Sequence, residues 1–183
     1  MAALWLGGPG LRIVAKPIPV LCLAAMVLRR ASAYARVVGA GLVLSAAGDV
    51  LLEFPGRFLF GLSAFLLAHL CYLTAFLYRS RAAQVGRLLP FVAWTSATLV
   101  WLWPGLGPMR GPVTAYVIVI TAMMWRAAVV GGSAGWGALL FGLSDTLIAL
   151  DRFGSPIPGV RYPIMVLYWA GQTGIAVSAS TER

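Results

Sequence analysis

Two of the five acidic residues in this 183-residue chain, Asp49 and Asp145, stand inside long apolar runs. An Asp at the centre of a membrane helix costs on the order of 2.5–3.5 kcal/mol on insertion scales. Such a group persists where it faces a cavity or a partner, and intramembrane acids accordingly mark reaction sites and proton relays. Asp49 falls about twelve residues into its run and Asp145 about thirteen into its own, which is about 18 Å and 20 Å along a helix. The two runs start from the same side of a bilayer, because four crossings separate their starts. The two carboxyls are therefore expected at nearly the same depth. The competing reading makes each a structural acid held by a hydrogen bond or an ion pair.

Other polar groups fall where they can meet these acids. Gly61, Phe65 and His69 are spaced by four and Tyr72 follows by three, so the four share one helix face. Gly61 allows close backbone approach there. Tyr168 stands one turn before Gln172 in the last apolar run, and Ser144 directly precedes Asp145. Glu53 is one turn after Asp49 on the same face. Lys16 lies at the start of the first clear run, where it either points inward or snorkels to the interface. The bland alternatives are a satisfied core histidine for His69, interhelical hydrogen bonding for Tyr168 and Gln172, and interfacial charges for Lys16 and Glu53. Asp151, beside Arg152, reads as a solvated loop charge, and Met123 and Met124 as packing.

Several chemistries lack their residues. There is one His and there are two cysteines, and no pair of His, Cys or carboxylate residues has a metal-ligand spacing. No metal and no cofactor is expected. Cys22 and Cys71 lie in apolar runs and read as small hydrophobes, not as a disulfide framework. No GxSxG elbow and no phosphate-binding glycine loop occurs.

The elements that must position these groups are membrane helices. Hydrophobic residues make up 61% of the chain and charged residues 10%, against about 25% charged in soluble domains. The mean hydropathy is +0.89. A soluble fold of this length could not bury so much apolar surface, so lipid is its solvent. The fold class is all-α, a polytopic transmembrane bundle forming a single domain over 1–183. Seven spans are expected at about Ile13–Leu28, Val37–Phe54, Phe58–Tyr78, Leu88–Trp103, Pro112–Val129, Gly132–Leu150 and Tyr162–Ala179. Short loops make sequential spans antiparallel neighbours. Residues 1–11 are apolar but broken by Gly7, Gly8, Pro9 and Gly10; they do not read as a signal peptide, and they admit an eighth helix. Trp94, Trp101, Trp103, Trp125, Trp136 and Trp169 lie mostly near span ends, as an interfacial belt requires. Gly48-Asp49-Val50-Leu51-Leu52 faintly echoes Ser144-Asp145-Thr146-Leu147-Ile148, by an old duplication or by chance.

The net charge of +9 comes from thirteen Arg and one Lys against five acids. The basic residues fall in gaps between apolar runs, where they orient the protein and meet anionic head groups. That placement argues against nucleic acid as a partner. One side carries Arg29, Arg30, Arg36, Arg79, Arg81, Arg87, Arg126 and Arg183; the other carries Arg12, Lys16, Arg57, Arg110, Arg152 and Arg161. Eight against six favours the first side, with the C-terminus, as cytoplasmic. The excess of Arg over Lys fits a GC-rich genome and so a bacterial inner membrane. No pattern speaks to oligomeric state.

With these residues in place the chain resembles the YhhN/TMEM86 family of membrane proteins. The resemblance rests on GDVLLEFPGRFLFGLSAFLLAHLCYLTAF, with Gly48-Asp49, Gly61, Phe65, His69 and Tyr72, and on GALLFGLSDTLIALDRF, with Ser144-Asp145 and Phe153. Lys16-Pro17 before the first helix and Tyr168 with Gln172 in the last one also fit, and the similarity runs over about residues 12–178. It implies about eight membrane helices. It also implies lysoplasmalogenase activity, hydrolysis of the vinyl ether bond of a lysophospholipid to a fatty aldehyde and a glycerophospho-base. That reaction starts with protonation of the enol carbon, which makes an oxocarbenium ion that water then captures. It needs a proton donor and a negative group, as glycosidases do, and two acids in different environments supply both. Asp49 and Asp145 are the expected catalytic pair. Glu53, Gly61, Phe65, His69, Tyr72, Ser144, Tyr168 and Gln172 are expected to shape the site or bind substrate, and Lys16 or an interfacial Arg to meet the phosphate. The alternatives are another membrane-embedded lipid hydrolase, including a zinc-dependent one, and a small lipid or proton-coupled transporter.

Overall fold

A computed structural model describes residues 13–180. Seven α-helices lie among them: α1 (Ile18–Leu28), α2 (Ala33–Leu52), α3 (Phe58–Arg79), α4 (Leu89–Leu102), α5 (Arg110–Val130), α6 (Gly132–Phe153) and α7 (Arg161–Ser180). Three short 3-10 turns, Val85–Arg87, Trp103–Gly105 and Gly107–Met109, flank α4. No strand occurs among the described residues. The eighth helix admitted by the sequence falls on residues 1–12, outside the described residues.

Several boundaries differ from the sequence expectation for local reasons. Lys16 and Pro17 form a turn, so the regular helix starts at Ile18, with Pro19 inside its first turn where a missing N–H costs nothing. α2 starts at Ala33 because the Ser32 hydroxyl accepts the Ala35 N–H at 3.0 Å. α6 runs three residues past Leu150. Asp151 therefore stands in the last turn of a helix, not in a loop, and its Oδ1 accepts the Ile157 N–H at 2.8 Å. That bond ties the α6–α7 connection to the helix end.

Among the described residues, five stretches are long and apolar enough to cross a membrane: Ala33–Leu52, Phe58–Arg79, Val85–Gly105, Gly107–Val130 and Gly132–Phe153. Ile13–Leu28 is apolar but shorter. α7 has the length, at 20 residues, but its Gly, Ser, Thr and Gln content dilutes its apolarity. The protein is a multi-pass membrane bundle.

Helices α1, α2, α3, α5, α6 and α7 form a ring in which each touches the next and α7 returns to α1; α7 also touches α2. α4 lies outside, against α5 and α6. Its buried residues are only Thr95 and Leu102, so it turns most of its surface to lipid. A hydrogen bond of 2.9 Å between Thr95 and Thr121 fastens it to α5. Interhelical hydrogen bonds and close backbone approach replace hydrophobic driving force in lipid. The α6–α7 seam shows the second device. A Cβ built on Gly171 meets the Phe141 nitrogen at 2.8 Å, and one on Gly137 meets the Ile175 nitrogen at 2.6 Å. Only glycine permits that separation, and across the same seam the Ser144 hydroxyl donates to the Ile164 carbonyl of α7. On the other side of the ring, the Phe65 ring of α3 fills the notch left by Gly48 of α2. Gly61 likewise faces Leu52.

At the opposite end of the bundle Arg126 is buried, 3% exposed. It lies in α5 and donates to the carbonyls of Ala82, at 2.7 Å, and Ser80. The sequence reading placed it with the loop cations; it is instead a clamp on the α3–α4 connection.

Candidate active site

Asp49 lies three residues before the end of α2 and Asp145 eight before the end of α6. Asp49 therefore stands near that end of the bundle, and Asp145 just past the middle of α6, toward the same end. Asp49 is buried, 2% exposed. Its Oδ2 accepts the Tyr168 hydroxyl of α7 at 2.7 Å, and its Oδ1 lies 3.5 Å from Lys16 Nζ. Lys16 also reaches Glu53 Oε1 at 3.4 Å. The turn at Lys16–Pro17 thus points an ammonium inward at two carboxylates one helical turn apart. Lys16 therefore points inward and does not snorkel.

Asp145 has different company. Its Oδ2 accepts the hydroxyl of Tyr116 from α5, and no Lys, Arg or His among the described residues forms an ion pair with it. It is half-buried because it faces a cavity of about 100 Å³ walled by α3, α4, α5 and α6. The walls are apolar, among them Leu62, Phe65, Val113 and Ile120.

The residues between the two acids are aromatic. The His69 ring packs edge-on against Phe141 at 4.8 Å and Tyr116 at 5.2 Å. Phe141 continues to Tyr168 at 5.4 Å, and Phe65 touches both Phe141 and Tyr168. A stack of edge-to-face rings therefore joins the phenol on Asp145 to the phenol on Asp49 and fixes both. Deeper in the ring, Tyr72 donates to Gln172 Oε1 at 2.8 Å and meets Ser45 at 3.3 Å. Ser144 donates to the Ile164 carbonyl at 3.0 Å and so ties α6 to α7. Of the expected residues, Lys16, Glu53, Phe65, His69 and Tyr168 gather around the acids. Tyr72 and Gln172 pair beneath them, joined to the same aromatic cluster where the Tyr72 ring meets His69 edge-on at 6.4 Å, and Gly61 and Ser144 make helix contacts.

Tyr116 and Phe141 were absent from the sequence reading. Tyr116 shares α5 with Thr114, Thr121, Trp125 and Arg126, so its hydroxyl did not stand out from the other polar groups of that run. Phe141 gave no signal, since an aromatic in an apolar helix reads as packing.

A second cavity, of about 200 Å³, opens at the same end. Lys16, Glu53, Asp151, Arg152 and Arg161 line it, and it shares the walls Leu52, Phe58 and Ile148 with the apolar cavity. A charged chamber thus adjoins an apolar one; Asp145 lines the apolar chamber, and Asp49 lies buried behind Lys16 and Glu53 of the charged one. No group of three or more His, Cys, Asp or Glu side chains gathers among the described residues as a metal site requires.

This is a helical membrane protein in which an apolar chamber carrying one half-buried acid adjoins a charged chamber, the layout that suits an amphiphilic ligand. Residues 11–179 match the YhhN family, and the chain belongs to that family. It is 42% identical over 167 residues to lysoplasmalogenase TMEM86B of Homo sapiens, covering 90% of this chain and 73% of that protein. It is 40% identical over 144 residues to a lysoplasmalogenase of Mycobacterium tuberculosis, covering 72% and 55%. With lysoplasmalogenase TMEM86A of Bos taurus the identity is 39% over 157 residues, covering 78% and 65%. The chain thus spans from about half to about three quarters of the length of these relatives. No solved structure matches it.

Proposed function

We propose that this protein is a lysoplasmalogenase that uses Asp145 as the proton donor and Asp49 as the stabilising anion. The observation that carries the assignment is the difference between their partners. Asp49 has the Lys16 ammonium at 3.5 Å, which favours a carboxylate. Asp145 has only a phenol, in an apolar cavity, where a neutral acid is the cheaper form. The relatives named lysoplasmalogenases support the substrate class.

In this reading the alkenyl chain enters the apolar cavity and the glycerophospho group stays in the polar chamber. Asp145 gives its proton to the alkene carbon remote from the ether oxygen. The oxygen lone pair forms the C=O⁺ bond of an oxocarbenium ion, and Asp49 balances that charge. Water adds to the oxocarbenium carbon and its spare proton passes to a carboxylate. The hemiacetal then breaks its bond to the glycerol oxygen, which takes a proton, and the remaining hydroxyl loses one as the aldehyde forms. Protons balance, and the net change is addition of one water. The aromatic stack around His69 holds both phenols, and so both carboxyls, in place.

The test is aldehyde release from lysoplasmenylethanolamine by the purified protein. Wild type should release aldehyde, and Asp145→Asn and Asp49→Asn should each lower turnover by about 10²–10⁴-fold, the usual contribution of a general acid or base. Near-normal turnover by both variants removes the two-acid mechanism. A folded wild type that releases no aldehyde removes the function.

A further inference from the structure

We infer that the polar chamber is a subsite for a zwitterionic phosphodiester head group, with Arg152 and Arg161 on the phosphate and Asp151 and Glu53 on the ammonium. The inference rests on the reading under Proposed function for its substrate, and adds to it the residues that hold the head group.

The chamber holds three cations, and one is already committed. Lys16 lies within 3.5 Å of Asp49 and 3.4 Å of Glu53, so its charge is balanced from within. Arg152 and Arg161 line the same chamber, and neither forms an ion pair among the described residues. The Arg152 guanidinium lies 3.7 Å from the centroid of the Phe58 ring. Stacking there fixes the plane of the group and leaves its N–H edge for a ligand. Two guanidinium groups on one chamber suit a phosphate, which accepts paired hydrogen bonds from each.

The acids give the second half of the pattern. Asp151 spends Oδ1 on the Ile157 N–H and has its second oxygen left. Glu53 spends one oxygen on Lys16 and likewise keeps the other. Two partly used carboxylates beside two unpaired guanidiniums suit a head group that carries both signs, a phosphate ester of ethanolamine or choline. A purely anionic head group would meet repulsion from both acids.

The spacing agrees with one extended ligand. Asp145, Ile148 and Arg152 follow along α6 at successive turns, and Arg152 lies about 10 Å along the axis from Asp145. Ile148 between them is a shared wall of the two chambers. That interval is one a glycerol carrying an ether at one end and a phosphate at the other can span.

The test compares Arg152→Gln and Arg161→Gln with wild type on two alkenyl substrates, lysoplasmenylethanolamine and the corresponding alkenylglycerol without phosphate. Each variant should lose about tenfold or more in kcat/KM on the phosphorylated substrate, mostly through KM, as loss of a charge-assisted hydrogen bond does. On the alkenylglycerol it should stay close to wild type. Asp151→Asn, which keeps the oxygen that holds Ile157, should weaken the preference for ethanolamine over a bare phosphate head. Equal losses on both substrates, or no loss on either, overturn the subsite. A wild type inactive on both substrates instead refutes the lysoplasmalogenase reading. The subsite is then decided by saturation-transfer NMR with glycerophosphoethanolamine as the probe. A signal present in wild type and lost in the Arg variants upholds it, and a signal absent or unchanged by them overturns it.

Discussion

Lys16 Nζ stands 3.5 Å from Asp49 Oδ1, across the gap between the chain before α1 and the last turn of α2. A carboxylate that is 2% exposed keeps its charge only with such a partner. Lys16→Met should therefore cost stability on the order of 2 kcal/mol, read as a lower Tm in detergent, and should lower turnover as well. Adding Asp49→Asn removes the stranded charge, so the double variant should regain most of the Tm and none of the activity. A Lys16→Met protein with wild-type Tm and wild-type turnover would show that the pair has no role.

Tyr116 and Tyr168 give a second, asymmetric pair of outcomes. Tyr168→Phe leaves Asp49 with Lys16, but Tyr116→Phe leaves Asp145 without any hydrogen-bond partner found in the structure. Asp145 becomes a carboxylate only as it gives up its proton, so the Tyr116 hydrogen bond strengthens in the transition state toward the about 1.5–3 kcal/mol of a bond to a charged group, or about 10- to 100-fold in rate. Tyr116→Phe should fall in that range for kcat, and Tyr168→Phe should lose less. Steady-state kinetics on the two variants checks the order. The reverse order would exchange the roles of the two aspartates.

The polar half of this arrangement was legible in the sequence and the apolar half was not. A helix in lipid is apolar on both its inner and outer faces, so periodicity does not separate core from surface. Asp49, Asp145, Lys16, His69 and Tyr168 stood out because an ionisable or hydrogen-bonding group in such a run must turn inward. Phe141 packs against three site rings yet looks like any lipid-facing Phe. The placement of α4 outside the ring was equally hidden, since its composition matches that of α5. Asp151 was misplaced because a helix end inside an apolar run is set by capping chemistry. Here that chemistry is the carboxylate of Asp151 on Ile157, six residues downstream.

The glycine seam between α6 and α7 makes a stability prediction with an internal control. A methyl at Gly171 would stand 2.8 Å from backbone nitrogen and 2.9 Å from backbone oxygen of α6, and backbone cannot step aside. Gly171→Ala should cost about 1–3 kcal/mol, as overpacking does, and should displace Tyr168 one turn away. Gly135→Ala meets its nearest atom at 3.4 Å, an ordinary contact, and gains up to about 1 kcal/mol of helix propensity. Thermal unfolding of the two variants should show Gly171→Ala well below wild type and Gly135→Ala at or above it. A tolerated Gly171→Ala would mean that the helices separate more easily than their packing implies.

The site also predicts which face of the membrane meets substrate. Both chambers lie at the end of the bundle that holds the 53–57, 103–109 and 154–160 connections, the side with six basic residues in the sequence. The opposite end, where Arg126 clamps the α3–α4 loop, belongs to the side with eight. Cytoplasmic loops carry the excess of Arg and Lys, so the mouth should open on the non-cytoplasmic face and take lipid from that leaflet. In a background with Cys22 and Cys71 replaced by Ala, Ser155→Cys marks the mouth and Ala83→Cys the other end. A membrane-impermeant maleimide applied to intact cells should label Ser155→Cys at once and Ala83→Cys only after permeabilisation. Labelling in the opposite order would turn the protein over, and the head-group chamber would then draw on the cytoplasmic leaflet.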